Sequence, residues 1–335
     1  MKIRCARWLV FLLTVSLVMG VEVVLQSSFL QAPLWLAARA RLDRDRAFMR
    51  EVCYVRLEEA SGRQSGSPAV VLMGSSQVLW GVDEHQLRKA IFPKPVIRRA
   101  MCGMTPLKAL SMLSYVPLSS DDLCVQYLSE LDFTNQDAFP YAWFRPYASW
   151  STWPDVIQCV DPAVRLRQWR HVVDYAMAAS FECFRDRDFL RQIAFHFWGR
   201  EDGPDDHAPL AGPVPMVIQA PEQISYAPSE QRAFEIVLQH LSDGNVDLLV
   251  FEGDVNPALH SQKRLLTRTQ IREALRVSLF KRGFHYVSIE EQGLSLGAEY
   301  WHDMTHLNAE GRKRLTQRIA QEVLELDSQS STGSD

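Results

Sequence analysis

The stretch Ala69-Val70-Val71-Leu72-Met73-Gly74-Ser75-Ser76-Gln77 is the most informative in this chain. Five apolar residues run without a break, stop at a glycine, and give way to two serines. A short continuous apolar run is how a strand buried on both faces reads, and such strands belong to parallel sheets. Open parallel sheets place their ligand sites in the loops that leave the C-terminal ends of the strands. Gly74-Ser75-Ser76 is such a loop. One stretch therefore indicates both an architecture and a place to look for chemistry.

Moving outward, the pattern returns in residues 95–101, 123–128, 246–251 and 284–289. Helical stretches lie between most of them, at 83–91, 106–115, 230–242 and 269–282. Strands alternating with helices predict an α/β fold, a three-layer doubly wound parallel sheet with helices on both faces. The expected domain runs over 68–327. A long insertion at about 134–230 breaks the alternation and carries Trp143, Trp150, Trp153, Trp169 and Trp198. Its pattern over 172–198 is helical, and it is expected to form a helical cap over the sheet's C-terminal edge. An independent helical subdomain, or an aromatic face resting on a membrane, are the alternatives. Residues 328–335 are rich in Ser, Gly and Asp and are expected to form a disordered tail.

The N-terminus opens with a basic cluster, Lys2, Arg4 and Arg7, followed by an apolar run over 8–25 that Glu22 interrupts. That length is near the lower limit for a helix that spans a bilayer, roughly 17–25 residues. The expectation is an N-terminal transmembrane helix within residues 1–30, with the basic residues inside and the bulk of the chain on the extracytoplasmic, periplasmic side. No small-x-small site follows the run, so an uncleaved anchor is preferred to a signal peptide. Residues 31–67 read as a connecting helix and linker. The chain has 335 residues, 47% hydrophobic and 23% charged, with a net charge of -4. That balance does not point to a nucleic-acid partner, which would usually require a basic excess. Of the six cysteines, five would face an oxidising space, so one or two disulfides are expected, with Cys159–Cys183 one pairing among several. No metal, nucleotide or flavin motif is present, and no cofactor is expected.

Two further loops complete the set. Gly103-Met104-Thr105-Pro106 follows the second apolar run, and Trp301-His302-Asp303-Met304-Thr305-His306-Leu307-Asn308-Ala309-Glu310-Gly311 precedes the last helix. A serine in water is a weak nucleophile. It needs a base in hydrogen-bond reach, and the base needs a group that fixes its tautomer. Asp-x-x-His supplies base and orienter from one turn. Ser76, His306 and Asp303 are thus the candidate nucleophile, base and orienter.

This joint pattern resembles the SGNH (GDSL-like) hydrolase superfamily, over roughly residues 69–326 apart from the insertion. The resemblance implies Ser76 as nucleophile in the place of the serine of Gly-Asp-Ser, with Ser75 standing where the aspartate usually does. It implies Gly103 and the Ser76 N–H as oxyanion donors, and Asp303 and His306 as the Asp-x-x-His block. The third block, Gly-x-Asn-Asp, is off-pattern here: the corresponding stretch is Ser129-Glu130-Leu131-Asp132. Asn135, or Asn256 after the fourth strand, are the candidate replacements; for Asn256 the simpler reading is an Asn-Pro turn. With the anchor, the chain looks most like membrane-tethered members that acylate cell-envelope polymers, such as the teichoic acid D-alanyl-transfer protein and the alginate O-acetylation proteins. That branch implies an acylated envelope glycan as substrate and a membrane-bound O-acyltransferase as partner. The alternative is a catalytically degenerate binding or assembly protein.

Overall fold

The structure, a computed structural model, describes residues 2–27, 68–101, 103–115, 118–133, 145–187, 190, 227–259, 262–288 and 296–332. The connecting segment 31–67, Asn135 and the C-terminal part of the insertion lie outside the described residues, as do Cys53 and Cys102.

In chain order the elements are α1 (Lys2–Gln26), β1 (Val70–Gly74), α2 (Ser76–Gly81), α3 (Glu84–Ala90), β2 (Val96–Ala100), α4 (Pro106–Met112) and β3 (Leu123–Leu128). The insertion contributes α5 (Trp153–Cys159), α6 (Pro162–Arg167), α7 (Trp169–Ser180) and α8 (Glu182–Arg185). Then come α9 (Pro228–Asp243), β4 (Asp247–Glu252), α10 (Gln262–Phe280), β5 (His285–Val287) and α11 (Ala309–Thr332). The chain divides into two compact units: Met1–Gln64 with Phe139–Pro154 and Pro162–His207, and Ser65–Ala138 with Asp155–Asp161 and Ala208–Asp335.

The second unit holds the sheet. All five strands are parallel, in the order β2-β1-β3-β4-β5. The expected α/β architecture is therefore present. β1 sits inside the sheet and is buried along its whole length, as its unbroken apolar run requires. One face packs Val70, Leu72, Val125, Leu249 and Phe251 against Leu79, Leu87, Leu315 and Ile319 from α2, α3 and α11. α4, α9 and α10 serve the other face. Because the chain leaves β1 first to one side and then returns to β3 on the other, the order reverses between β1 and β3. That reversal opens a crevice at the C-terminal ends of these two strands.

Local chemistry sets several boundaries. Asp83 caps α3 by accepting from Gln86 N–H, and Pro106 opens α4. α11 runs on to Thr332, so residues 328–332 are helical rather than part of a disordered tail. An ion pair between Asp327 and Lys94 holds this end, and Ser328 Oγ donates to Glu325 O.

In the first unit, Tyr147, Ala148, Tyr175 and Ala178 are buried, and the rings of Trp153 and Tyr175 lie 5.1 Å apart. The sequence predicts one helix over 172–198, but α7 stops at an extended Phe181 and α8 begins afresh. Glu22 explains the break. Its carboxylate accepts from the N–H groups of Glu182 and Cys183, both at 2.8 Å, and so caps the new helix from a distant part of the chain. Burial works against that charge, but these bonds outweigh it and hold Glu22 below the usual carboxylate range.

An N-terminal helix forms where the transmembrane helix is expected. Residues 2–26 are helical, yet among the described residues no helix is long and apolar enough to cross a membrane. Toward the C-terminal end of α1, Glu22 and Leu25 are buried, and Glu22 is engaged by α8. The Cys159–Cys183 disulfide is also absent, since both are free thiols. Burial pushes them up to about 12 and about 11, and Glu22 adds to the effect on Cys183.

Candidate active site

The loop after β1 is built by a glycine and a cap. Gly74 has φ +155°, and a side chain there would meet Val78 Cγ2 at 2.4 Å and the Tyr127 carbonyl oxygen at 3.1 Å. Only glycine allows the chain to turn this closely. Ser75 is extended and accepts from Gln77 N–H at 3.4 Å, a loose N-cap for α2. The sequence reading treats Gly74-Ser75-Ser76 as a loop; in fact Ser76 is the first residue of α2. Its N–H, like any in a first helical turn, has no partner inside the helix.

The second contributor is the turn before α11. Trp301 and Leu307 form an antiparallel bridge, and His302 N–H donates to His306 O at 2.8 Å, closing the turn. Asn308 Oδ1 then accepts from Glu310 and Gly311 N–H and starts α11. A side chain at Gly311 would lie 2.4 Å from Tyr300 O. The Leu-Asn-x-x-Gly part of the motif is therefore an anchor, a cap and a close approach.

The structure brings Ser76, His306 and Asp303 together from 230 residues apart in sequence. His306 Nε2 lies 2.9 Å from Ser76 Oγ, and His306 Nδ1 lies 2.7 Å from Asp303 Oδ2. Asp303 Oδ1 accepts from the N–H groups of Thr305 and His306, each at 2.8 Å. Burial by itself would raise the Asp303 carboxyl. The His306 ring and these two N–H groups outweigh it and hold it at about 2. The carboxylate is thus ionised at neutral pH, as an acceptor for an imidazole N–H must be. Trp80, one turn along α2 from Ser76, flanks the imidazole with ring centroids 4.6 Å apart.

The other sequence candidates fare differently. Gly103 is exposed, with φ +61°, and no hydrogen bond joins it to Ser76, Asp303 or His306 among the described residues. Its carbonyl accepts from Lys108 Nζ. The Asn256 amide is engaged at both ends. Its Nδ2 donates to Asp303 O at 3.3 Å, and its Oδ1 accepts from Ala258 N–H at 3.0 Å. It is a turn residue, because the Asn-Pro sequence favours a side chain folded back on its own backbone. Sequence reasoning missed Gln77 and Trp80; a lone Gln or Trp beside a serine carries no pattern.

No family model matches the sequence, and no curated protein matches it. Among solved structures, the chain is similar to a GDSL-like lipase from Bacteroides thetaiotaomicron. Identity is 11%, 83% of this chain and 99% of that chain are covered, and the TM-score is 0.40. It is also similar to two mutants of Axe2 from Geobacillus stearothermophilus. One, a catalytic mutant of this acetylxylan esterase, gives a TM-score of 0.40, and the other, described as an acetyl-xylooligosaccharide esterase, gives 0.41. Both are at 10% identity over 78% of this chain and 96% of that chain.

Proposed function

We propose that the chain is a serine esterase or O-acyltransferase acting on acyl esters of a cell-envelope polysaccharide. The observation that carries the reading is the continuous line from Asp303 through His306 to Ser76, with contacts of 2.7 and 2.9 Å. In this reading Ser76 Oγ attacks the ester carbonyl while His306 takes its proton. The tetrahedral oxyanion lies toward the N–H groups of Ser76 and Gly103. Collapse breaks the carbonyl–alkoxy bond, and His306 returns the proton to the leaving alcohol. Water then frees the acyl group as acid, or a sugar hydroxyl accepts it, and Ser76 is regenerated. The missing third-block asparagine removes one oxyanion donor, which typically lowers the rate by about a hundred- to thousandfold. A slow enzyme follows.

The location belongs to the same proposal: a chain held at a membrane through its N-terminal helix, with its bulk on the periplasmic side. An envelope O-acyltransferase of the membrane-bound class is the proposed partner. What supports it is pattern. Lys2, Arg4 and Arg7 precede the apolar run, and Val10, Leu12, Leu13, Leu17 and Val23 are exposed on α1. Fractionation of cells expressing the full chain tests it: recovery in the soluble fraction rejects the attachment.

A fluorophosphonate probe tests the chemistry. The wild type should be labelled and Ser76→Ala spared. A wild type that stays unlabelled favours the second reading, a degenerate binding or assembly protein, for which the off-pattern third block speaks.

A further inference from the structure

We infer that Gln77 and Asn256 are positioning residues that together hold the Asp303–His306 turn against Ser76. What the turn does rests on the serine-enzyme reading; how it is held does not.

The three carbonyls that precede His306 are all gripped by these two residues. Asn256 Nδ2 donates to Asp303 O at 3.3 Å, and Asn256 N–H donates to Met304 O at 2.9 Å. Gln77 Nε2 donates to Thr305 O at 3.3 Å, and the same nitrogen lies 2.7 Å from Asp254 O. Both partners of that nitrogen are carbonyl oxygens, so only the NH2 end of the amide can face them. Gln77 adjoins Ser76 in α2. One buried side chain therefore ties the nucleophile's helix to the loop after β4 and to the turn that carries the imidazole.

The loop after β4 is itself firmly placed. Asp254 Oδ1 accepts from Arg268 Nη1 at 2.6 Å and from Val255 N–H at 2.7 Å, and Asp254 N–H donates to Tyr127 OH at 3.1 Å. Arg268 also donates to Glu252 at 3.1 Å. The braces thus run from a buried ionic cluster at the end of β4 to the turn. Gln77 Oε1 is buried without a hydrogen-bond partner among the described residues. An apolar side chain of similar length would leave no such atom unpaired, so the donor end is what distinguishes glutamine here. A hydroxyl–imidazole–carboxylate line tolerates displacements of only about 0.5 Å. Loosening the three carbonyls should therefore disturb the imidazole before it unfolds the sheet.

The experiment uses the full chain labelled with 15N-histidine, with long-range proton–nitrogen correlation spectra reading the His306 ring. His306→Gln assigns the signals. In the wild type, His306 should show a single tautomer with the proton on Nδ1, the nitrogen that faces Asp303. In Gln77→Met, and separately in Asn256→Ser, a mixture of tautomers is expected while cooperative unfolding is kept. Fluorophosphonate labelling should fall by about ten- to a hundredfold. The Asn256 variant decides the matter if Gln77→Met does not fold. An unchanged single tautomer in a folded variant overturns the inference, as does a mixture in the wild type. A brace-dependent tautomer in a wild type that is never labelled sustains the inference and rejects the enzyme reading alone.

Discussion

The Asp303–His306 turn and the Ser129–Asp132 turn are built alike and behave in opposite ways. In each, a carboxylate accepts a backbone N–H three residues away: Asp303 from His306 at 2.8 Å, Asp132 from Ser129 at 2.7 Å. Asp303 is partly exposed and faces an imidazole, and its carboxyl is held at about 2. Asp132 is buried. Burial dominates and raises it to about 7; the Ser129 bonds oppose the rise, and the charges of Glu130 and Glu230 reinforce it. In each turn the backbone bond fixes where the carboxylate points. Its surroundings decide whether it serves as a constant charge or as a group that holds a proton.

The largest effect is expected where the constant charge is removed. Asp303→Asn keeps the turn but loses the anionic acceptor for His306 Nδ1. Fluorophosphonate labelling should slow by about a thousandfold or more, measured as a pseudo-first-order rate. A drop of less than about threefold would show that the two turns do not differ in role. The wild-type Asp303 is ionised at all pH values above about 4. Any loss of labelling on acidification above that pH therefore belongs to another group.

Asp132→Asn should act on stability instead. The folded Asp132 holds its proton more tightly than the unfolded chain does, so stability falls as pH rises through the window from about 4 to about 7. Below that window the group contributes no penalty; above it the full penalty applies. Denaturant unfolding at about pH 5 and about pH 8 should show the variant losing this dependence, a relative gain on the order of a few kcal/mol at the higher pH. Identical pH profiles would remove the contrast between the carboxylates.

Two smaller substitutions sharpen the comparison. Gly74→Ala moves Ser76 without touching either carboxylate, since the new Cβ would strike Val78 and the Tyr127 carbonyl. It should cost about 1–3 kcal/mol in unfolding experiments and slow labelling. Ser129→Ala removes one of two bonds that lower Asp132. It should cost about 1 kcal/mol and leave labelling near the wild-type rate. Strong loss of labelling in Ser129→Ala would mean that this turn serves the site directly.

The strands were legible because each is a contiguous apolar run, and burial on both faces demands that. β3 matches its predicted span residue for residue, and β1, β2 and β4 lie within a residue of theirs at either end. The helix at Ser76–Gly81 was not legible. Gly-Ser-Ser is as common in turns as at helix starts, and six residues give no period to read. The break at Phe181 was illegible for another reason: its cause is Glu22, which lies 160 residues away from Glu182.

What the sequence alone determined is what a short window contains: an α/β alternation, a serine after an apolar run, and an Asp-x-x-His turn with its own cap. Local spacing suffices for these, because each is a pattern of residues close together in the chain. Only the tertiary structure decided the order of the strands and the meeting of Ser76 with His306. It alone revealed that Asn256 is committed to Asp303 O and that Gln77 reaches Asp254 O and Thr305 O. Those outcomes depend on which chain segments the sheet places side by side, and hydrogen-bond partners far apart in sequence leave no spacing to recognise.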